Sequence, residues 1–404
     1  MKQSSQSNQS QQWIARNDKV IAKTYGRYPL VPVRGAGCKL WDADGREYLD
    51  MLAGVAVNNL GHCHPRIVAA IKAQAETLIH CSNYYNIPQQ IRLAELLCEN
   101  SFAERVFFCN SGAEANEAAI KLARKQSLEI HGPGRSEVLT ALASFHGRTY
   151  CGISATGQEK VKQGFEPLLP GFRHLPFGDI EALRSAVSAE TCAIMLEPIQ
   201  GEGGVNIPPA GYFQQVRNLC DEKGLLLILD EVQTGCGRSG TLFAYEQEGI
   251  TPDIMTLAKG LAGGVPIGAM LAGDALAEHL GPGTHGSTFG GNPLATATGI
   301  ASLETLLGEG ILENCRAMGD YLCAALETLQ QKYPFISAVR GRGLLIGLEL
   351  SIEGGELVKT ALTRGLLINC TVGKVLRFVP PLIITRTEID QAINILDEIF
   401  SEVK

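Results

Sequence analysis

No stretch of this 404-residue chain approaches the eighteen or so consecutive apolar residues that a membrane helix requires. The most compact apolar block, LLLIL at 225–229, is closed by Asp230 and Glu231. A basic excess is also lacking. Lys and Arg number 35 against 42 Asp and Glu, a net charge of −7, which argues against nucleic acid as the main partner. No two of the twelve cysteines form a C-x-x-C, so the common zinc and thioredoxin-like patterns are absent. Most cysteines sit in apolar stretches such as LAELLCEN, which reads as reduced core thiols in a cytoplasmic protein. The one Gly-Lys pair, Gly373-Lys374, is followed by Val375 and lacks the upstream glycine, which excludes a P-loop. There is no internal repeat. The opening MKQSSQSNQSQQ has neither the apolar core of a secretory signal nor the arginines of a transit peptide. Residues 1–12 read as a disordered tail.

Glycine, in contrast, is abundant: 45 residues, clustered at 201–204, 235–240, 260–268 and 281–291. Such clusters suit a site built from several loops, because backbone that turns sharply or approaches a ligand closely needs glycine. KLWDADGREYL (39–49) reads as two short strands around an Asp44-Gly45 turn. Pro65 opens a helix whose apolar residues follow at helical spacing. From about 88 to 310, short apolar runs (RVFFC, AIMLEP, LLLILD, DIMTLA) alternate with amphipathic stretches, the pattern of βαβ units and a mostly parallel sheet. The last hundred residues differ. A long helix near 311–332 precedes the strand-like VRGRGLLIGLEL and VLRFVPPLIIT and a closing helix from Glu388. The expected class is α/β, with four parts: the tail (1–12), an N-terminal segment joining the small domain (13–70), a large domain (71–310) and a smaller α+β domain (311–404).

Three segments carry candidate chemistry. In RVFFCNSGAEANEAAIKLAR, a strand ends at Cys109 and a helix follows, with Ser111 and Glu114 spaced as a capping box. That is either a well-capped helix alone or a seat for a phosphate, which the free N–H groups and the positive dipole end favour. In LLLILDEVQTG, Asp230 closes an apolar strand, where open α/β sheets bind ligands. In DIMTLAKGLAGGVPIG, Lys259 lies between a strand and a glycine-rich loop. A lone lysine there is usually a surface group; a desolvated one has a lowered pKa and can attack a carbonyl. A phosphate seat, a carboxylate and an amine at parallel strand ends together suit pyridoxal phosphate.

These motifs, with AVNNLGHCHP, FHGRT, LEPIQGEGGV, LDEVQTGCGRSG, HGSTFGGNPLA and VLRFVPPL in the same order, resemble the class III pyridoxal-phosphate aminotransferases from about Tyr28 to Leu382. Cys236 and Ser239 stand where Met and Thr are common in that family. The resemblance implies fold-type I, with a mostly parallel seven-stranded sheet in the large domain. It implies that Lys259 bonds the cofactor aldehyde and later moves a proton. Asp230 would pair with the ring nitrogen and Gln233 with the ring hydroxyl, while Val232 and Phe145 cover the two ring faces. Ser111, Gly112 and Ala113 would hold the phosphate, and Glu231 is also expected among the cofactor-binding residues. Thr288 would reach the same phosphate from the partner subunit of a homodimer. His146 reads as structural. So do His62 and His64, which lack a third ligand, and no metal is expected.

By the same resemblance, Arg148 and Arg377 bind carboxylates, for which a guanidinium offers two parallel hydrogen bonds. Arg148 would hold the donor's distant carboxylate and the γ-carboxylate of 2-oxoglutarate. Arg377 would hold the carboxylate next to the reacting keto carbon. Glu202 would neutralise Arg377 in the first half-reaction and then move away. Glu197 and Ser287 would line the same pocket. Ornithine-specific relatives carry a tyrosine near Gly54-Val55. Here Ala53, Gly54 and Val55 form an expected apolar wall, which favours an acylated amine because an unpaired buried charge is expensive. The expected donor is N2-acetyl-L-ornithine. Ornithine, succinylornithine and 4-aminobutyrate are alternatives, and an aminomutase is a remoter one.

Overall fold

The computed structural model describes residues 9–403. Residues 1–8 of the expected tail lie outside the described residues, and its remainder is helical: Gln9–Val20 is an α-helix. Asp44 anchors its start, accepting the Gln9 N–H at 2.9 Å and the Ser10 N–H at 3.4 Å. A carboxylate at the positive end of a helix stabilises a turn that composition alone leaves unordered.

Three strands open the chain: β1 (Pro32–Ala36), β2 (Lys39–Asp42) and β3 (Glu47–Asp50). β2 and β3 pair antiparallel across the Asp44-Gly45 turn. The central region supplies β4 (Arg105–Cys109), β5 (Glu137–Ala141), β6 (Phe172–Leu175), β7 (Thr191–Leu196), β8 (Leu226–Asp230), β9 (Ile254–Leu257) and β10 (Gly268–Ala272). They form one seven-stranded sheet in the order β4-β10-β9-β8-β7-β5-β6. The pairings from β9 to β6 are parallel; β10 runs antiparallel to both of its neighbours. All six residues of β7 are buried, as a strand covered on both faces requires. The helix Gly112–His131 packs across β9 and β10. Half of its buried residues are alanine (Ala115, Ala118, Ala119, Ala123), which lets it approach the sheet closely.

The C-terminal region begins with the helix Ile311–Lys332, which matches the expected span. It continues through β11 (Ile336–Arg342), β12 (Leu345–Leu350), β13 (Leu366–Leu367), β14 (Asn369–Thr371) and β15 (Val375–Phe378). VLRFVPPLIIT is a strand only to Phe378, because Pro380 and Pro381 supply no ladder N–H. β11, β12, β15 and β14 form an antiparallel sheet in that order. β13 pairs parallel with β3, so the two ends of the chain share a sheet. On that pairing we propose that segment 13–70 and the residues from 311 onward form one unit beside a large unit at 71–310. Among the described residues, no helix is long and apolar enough to cross a membrane.

Candidate active site

The parallel strands end at a common edge, and a cavity of about 450 Å³ lies beyond it. Ligands of open α/β sheets bind there because strand ends and helix starts converge on one crevice. β4 delivers Ser111, Gly112 and Ala113 to its wall, β5 delivers Phe145 and Arg148, and β7 delivers Glu197. β8 delivers Asp230, Val232 and Gln233, and β9 delivers Lys259.

Ser111 is the N-cap of Gly112–His131 and accepts the Glu114 N–H at 3.2 Å. The return arm of the expected capping box is shifted by one residue. Glu114 accepts the Asn110 N–H at 2.5 Å and Asn110 Nδ2 at 2.9 Å. The N–H groups of Gly112 and Ala113, at the positive end of the helix, therefore stay available to an anion. A Cβ on Gly112 would lie 2.7 Å from Val232 Cγ1, so only glycine lets the helix start meet the β8 loop.

Asp230 is buried. Its Oδ2 accepts from Asn116 Nδ2 and from His146 Nδ1, each at 2.8 Å, and its Oδ1 accepts the Val232 N–H at 3.1 Å. Asn116 is itself held by the Thr256 hydroxyl, which donates to Asn116 Oδ1 at 2.7 Å. Asn116 also donates to the His146 carbonyl at 2.9 Å. Both residues line the cavity. His146 reads as structural in the sequence and Asn116 carries no motif, yet both hold Asp230. The available signals were that His146 follows Phe145 in FHGRT, and that Asn116 lies one helical turn past the phosphate seat.

Lys259 sits at a positive φ of 42° immediately after β9. Burial pushes its amine down from the ordinary lysine range to about 8, with Arg377 adding to the fall and Glu202, Asp230 and Glu197 opposing it. Such an amine is partly unprotonated near neutral pH. Burial, reinforced by the charge of Asp230, raises the Glu197 carboxyl well above its usual range, although Glu197 Oε2 accepts the Phe145 N–H at 3.1 Å.

Arg377 and Glu202 lie just behind this wall. Arg377 is fully buried on β15, and its Nη1 donates to Glu202 Oε1 at 2.6 Å and to Gln233 Oε1 at 3.1 Å. Its Nε donates to Asn369 Oδ1 at 3.3 Å. Burial alone would raise the Glu202 carboxyl, but Arg377 and Lys259 outweigh it and hold the carboxyl below its usual range. Arg148 is exposed at the mouth, with its guanidinium carbon 5.6 Å from the Phe145 ring centroid. No carboxylate among the described residues pairs with it.

Three expected residues sit elsewhere. The Glu231 carboxylate turns away from the cavity and accepts the Ala244 and Tyr245 N–H groups at 2.7 and 2.8 Å, pinning the 241–245 loop. Ser287 Oγ accepts from Asn110 Nδ2 and the Gly290 N–H, each at 3.0 Å, which ties its loop to the β4 end. Thr288 beside it is exposed and faces no wall of this cavity. The apolar wall at 53–55 also differs. Residues 53–56 form a left-handed turn, with φ between 50° and 65°, that buries Ala53 and points Val55 outward. Val57 is the residue of that segment that lines the cavity. Asp50 caps the turn through the Leu52 and Ala53 N–H groups and is held in turn by His62 at 2.7 Å.

The family model for class-III aminotransferases matches residues 20–400. The acetylornithine aminotransferase of Caldanaerobacter subterraneus subsp. tengcongensis is 55% identical over 97% of this chain and 100% of its own length. A solved acetylornithine aminotransferase from Elizabethkingia anophelis superposes with a TM-score of 0.87 at 34% identity, covering 98% of this chain and 99% of its own. The ornithine aminotransferase of Toxoplasma gondii, described with PLP partly occupying its active site, superposes at 0.93 with 37% identity. That match covers 96% of this chain and 94% of the other.

Proposed function

The chain belongs to the class-III aminotransferases, and from that premise we propose that it moves the δ-amino group of N2-acetyl-L-ornithine to 2-oxoglutarate. The products are N-acetyl-L-glutamate 5-semialdehyde and L-glutamate. The observation that carries this reading is the pairing of buried Arg377 with the partly exposed Glu202, a carboxylate site closed by its own counter-ion.

The cofactor of this family is pyridoxal phosphate, and the donor set fits it. The Gly112 and Ala113 N–H groups suit its phosphate, Asp230 its ring nitrogen and Lys259 its aldehyde, with Phe145 and Val232 beside the ring. When bound, it supplies a carbonyl for the amine and a ring that accepts electrons. Asp230, held in place by three donors, would present its carboxylate to the ring nitrogen. Lys259 Nζ, with its lowered basicity, takes a proton from the donor carbon and gives it back on the cofactor side.

Arg148 binds the donor's distant carboxylate and then the γ-carboxylate of 2-oxoglutarate. An ω-amino donor brings no carboxylate next to its reacting carbon, so Glu202 stays on Arg377. 2-Oxoglutarate does bring one, and Glu202 gives way to it. Thr288 serves the site of a second copy; the exposed Tyr84, Tyr85 and Phe289 nearby suit burial against that copy. Twelve unpaired cysteines suit a reducing compartment, and we place the enzyme in the cytoplasm.

The test is the first half-reaction of the yellow enzyme, comparing N2-acetylornithine with ornithine by kcat/KM. A ratio of about a hundred or more, near 3 kcal/mol of discrimination, is expected. A ratio near one would reassign the donor to free ornithine or to a broad set of ω-amines.

A further inference from the structure

Glu202 sits at the tip of a closed loop. Gln200 and Asn206 pair across its base, with N–H···O distances of 3.1 and 3.2 Å. On one side the loop is packed against the large sheet. A Cβ on Gly201 would lie 2.2 Å from Gln233 Oε1, and one on Gly203 would lie 2.5 Å from the Ala143 carbonyl. On the other side, beyond the Glu202–Arg377 contact at its tip, its backbone carbonyls are held by a second arginine of the C-terminal sheet. Arg340 Nη2 donates to the Gly204 carbonyl at 2.7 Å, and Arg340 Nε donates to the Val205 carbonyl at 2.9 Å. Val205 is a β-branched residue at φ 53°, a backbone state that needs such restraint.

The register of that sheet explains the placement. Arg340 lies opposite Gly347, and Gly347 lies opposite Arg377. Directly opposed residues project to the same face, and two strand spacings separate the outer pair by about 10 Å. The glycine between them opens the seat for Val205, since a Cβ there would lie 2.9 Å from Val205 Cβ. One cross-strand row thus carries the substrate arginine, a gap, and the arginine that holds the loop of the competing carboxylate. Glu349, on the same face of β12, forms an ion pair with Arg340.

We infer that Arg340 is a positioning residue for donor selection. By holding the Gly204 and Val205 carbonyls it fixes the Glu202 backbone against Arg377, so that the carboxylate alone rotates when a substrate carboxylate arrives. This rests on the switch described above for Glu202. A planar guanidinium can serve both carbonyls at once, whereas a lysine ammonium is a single point of attachment.

The experiment measures kcat/KM for N2-acetylornithine and for glutamate in single-turnover reduction of the holoenzyme, in wild type, Arg340→Gln, Glu349→Gln, Glu202→Ala and the Arg340→Gln/Glu202→Ala double variant. Arg340→Gln is expected to lower the acetylornithine-to-glutamate ratio about tenfold and to add nothing in the Glu202→Ala background. Glu349→Gln breaks the same ion pair but leaves the loop held, and is expected to keep the ratio. If Arg340→Gln does not fold, Arg340→Lys carries the test, with a smaller fall in the same ratio. A ratio unmoved by Arg340 variants while Glu202→Ala shifts it overturns the inference, as does an equal shift in Glu349→Gln. A ratio unmoved by Glu202→Ala itself removes the switch, and this inference falls with it.

Discussion

Asp230 and Arg377 are both buried, and each is met by three partners. Asp230 takes hydrogen bonds from Asn116 on the helix Gly112–His131 and from His146 and the Val232 N–H in loops of the large sheet. Arg377 is met by two amide oxygens, from Gln233 and Asn369, and by the Glu202 carboxylate, whose side chain is 30% exposed. Breaking one hydrogen bond to Asp230 would leave a buried charge short of a donor. Releasing Glu202 leaves the arginine free for another carboxylate, at little cost once that carboxylate is there. On the proposed reading, the cofactor side is therefore built to stay, and the substrate side to exchange one anion for another.

Four substitutions or titrations test that contrast. The largest effect is expected on the fixed side. Lys259→Ala should lower turnover by about 10⁴-fold or more while the far-UV spectrum and thermal midpoint stay near wild type, since the residue lines a cavity rather than packing a core. Turnover close to wild type would remove Lys259 from the chemistry. On the exchanging side, Glu202→Ala should change preference rather than competence. Glutamate should react about tenfold faster relative to N2-acetylornithine in the first half-reaction, and equal acceleration of both donors would count against an exchangeable counter-ion.

A titration joins the two sides. The Lys259 amine, at about 8, is protonated below that pH and nucleophilic above it. Capture of pyridoxal phosphate by the apoprotein should therefore climb with pH through about 8, not through the free-lysine value of about 10.4. Glu202 holds the amine up and Arg377 pushes it down. Glu202→Gln should accordingly move the midpoint lower, and an upward move would contradict the charge arrangement. The smallest effect is expected for Asn116→Ala, which removes one of two donors to Asp230 Oδ2. A loss of several-fold in kcat with little change in the donor ratio would keep the two sides separate. A changed ratio would show them coupled.

The fixed side was the more legible in sequence. Ser111, Asp230 and Lys259 each close or follow an apolar strand, and a strand together with its following loop is one contiguous motif. The resemblance supplied Glu202 and Arg377, which are 175 residues apart and which the structure brings to 2.6 Å. Partner choice was less legible. Glu231 adjoins Asp230 in sequence, yet successive residues leave a strand on opposite sides, so its carboxylate goes to the 241–245 loop. Val55 pointed away from the cavity for a related reason, because a left-handed turn reverses which side chains face inward. Asn116 and His146 look like ordinary helix and loop residues until the fold sets both against one carboxylate.

The amino-acid sequence by itself determined the alternation of strand and helix, the strand-end chemistry and the family, because apolar periodicity and contiguous motifs act over a few residues. Only the tertiary structure decided which groups share a hydrogen bond: Asp230 with Asn116 and His146, and Glu202 with Arg377. It also set the row in which Arg340, Gly347 and Arg377 stand side by side. Those relations depend on sheet register and strand order, which join residues far apart in the chain and leave no local trace in it.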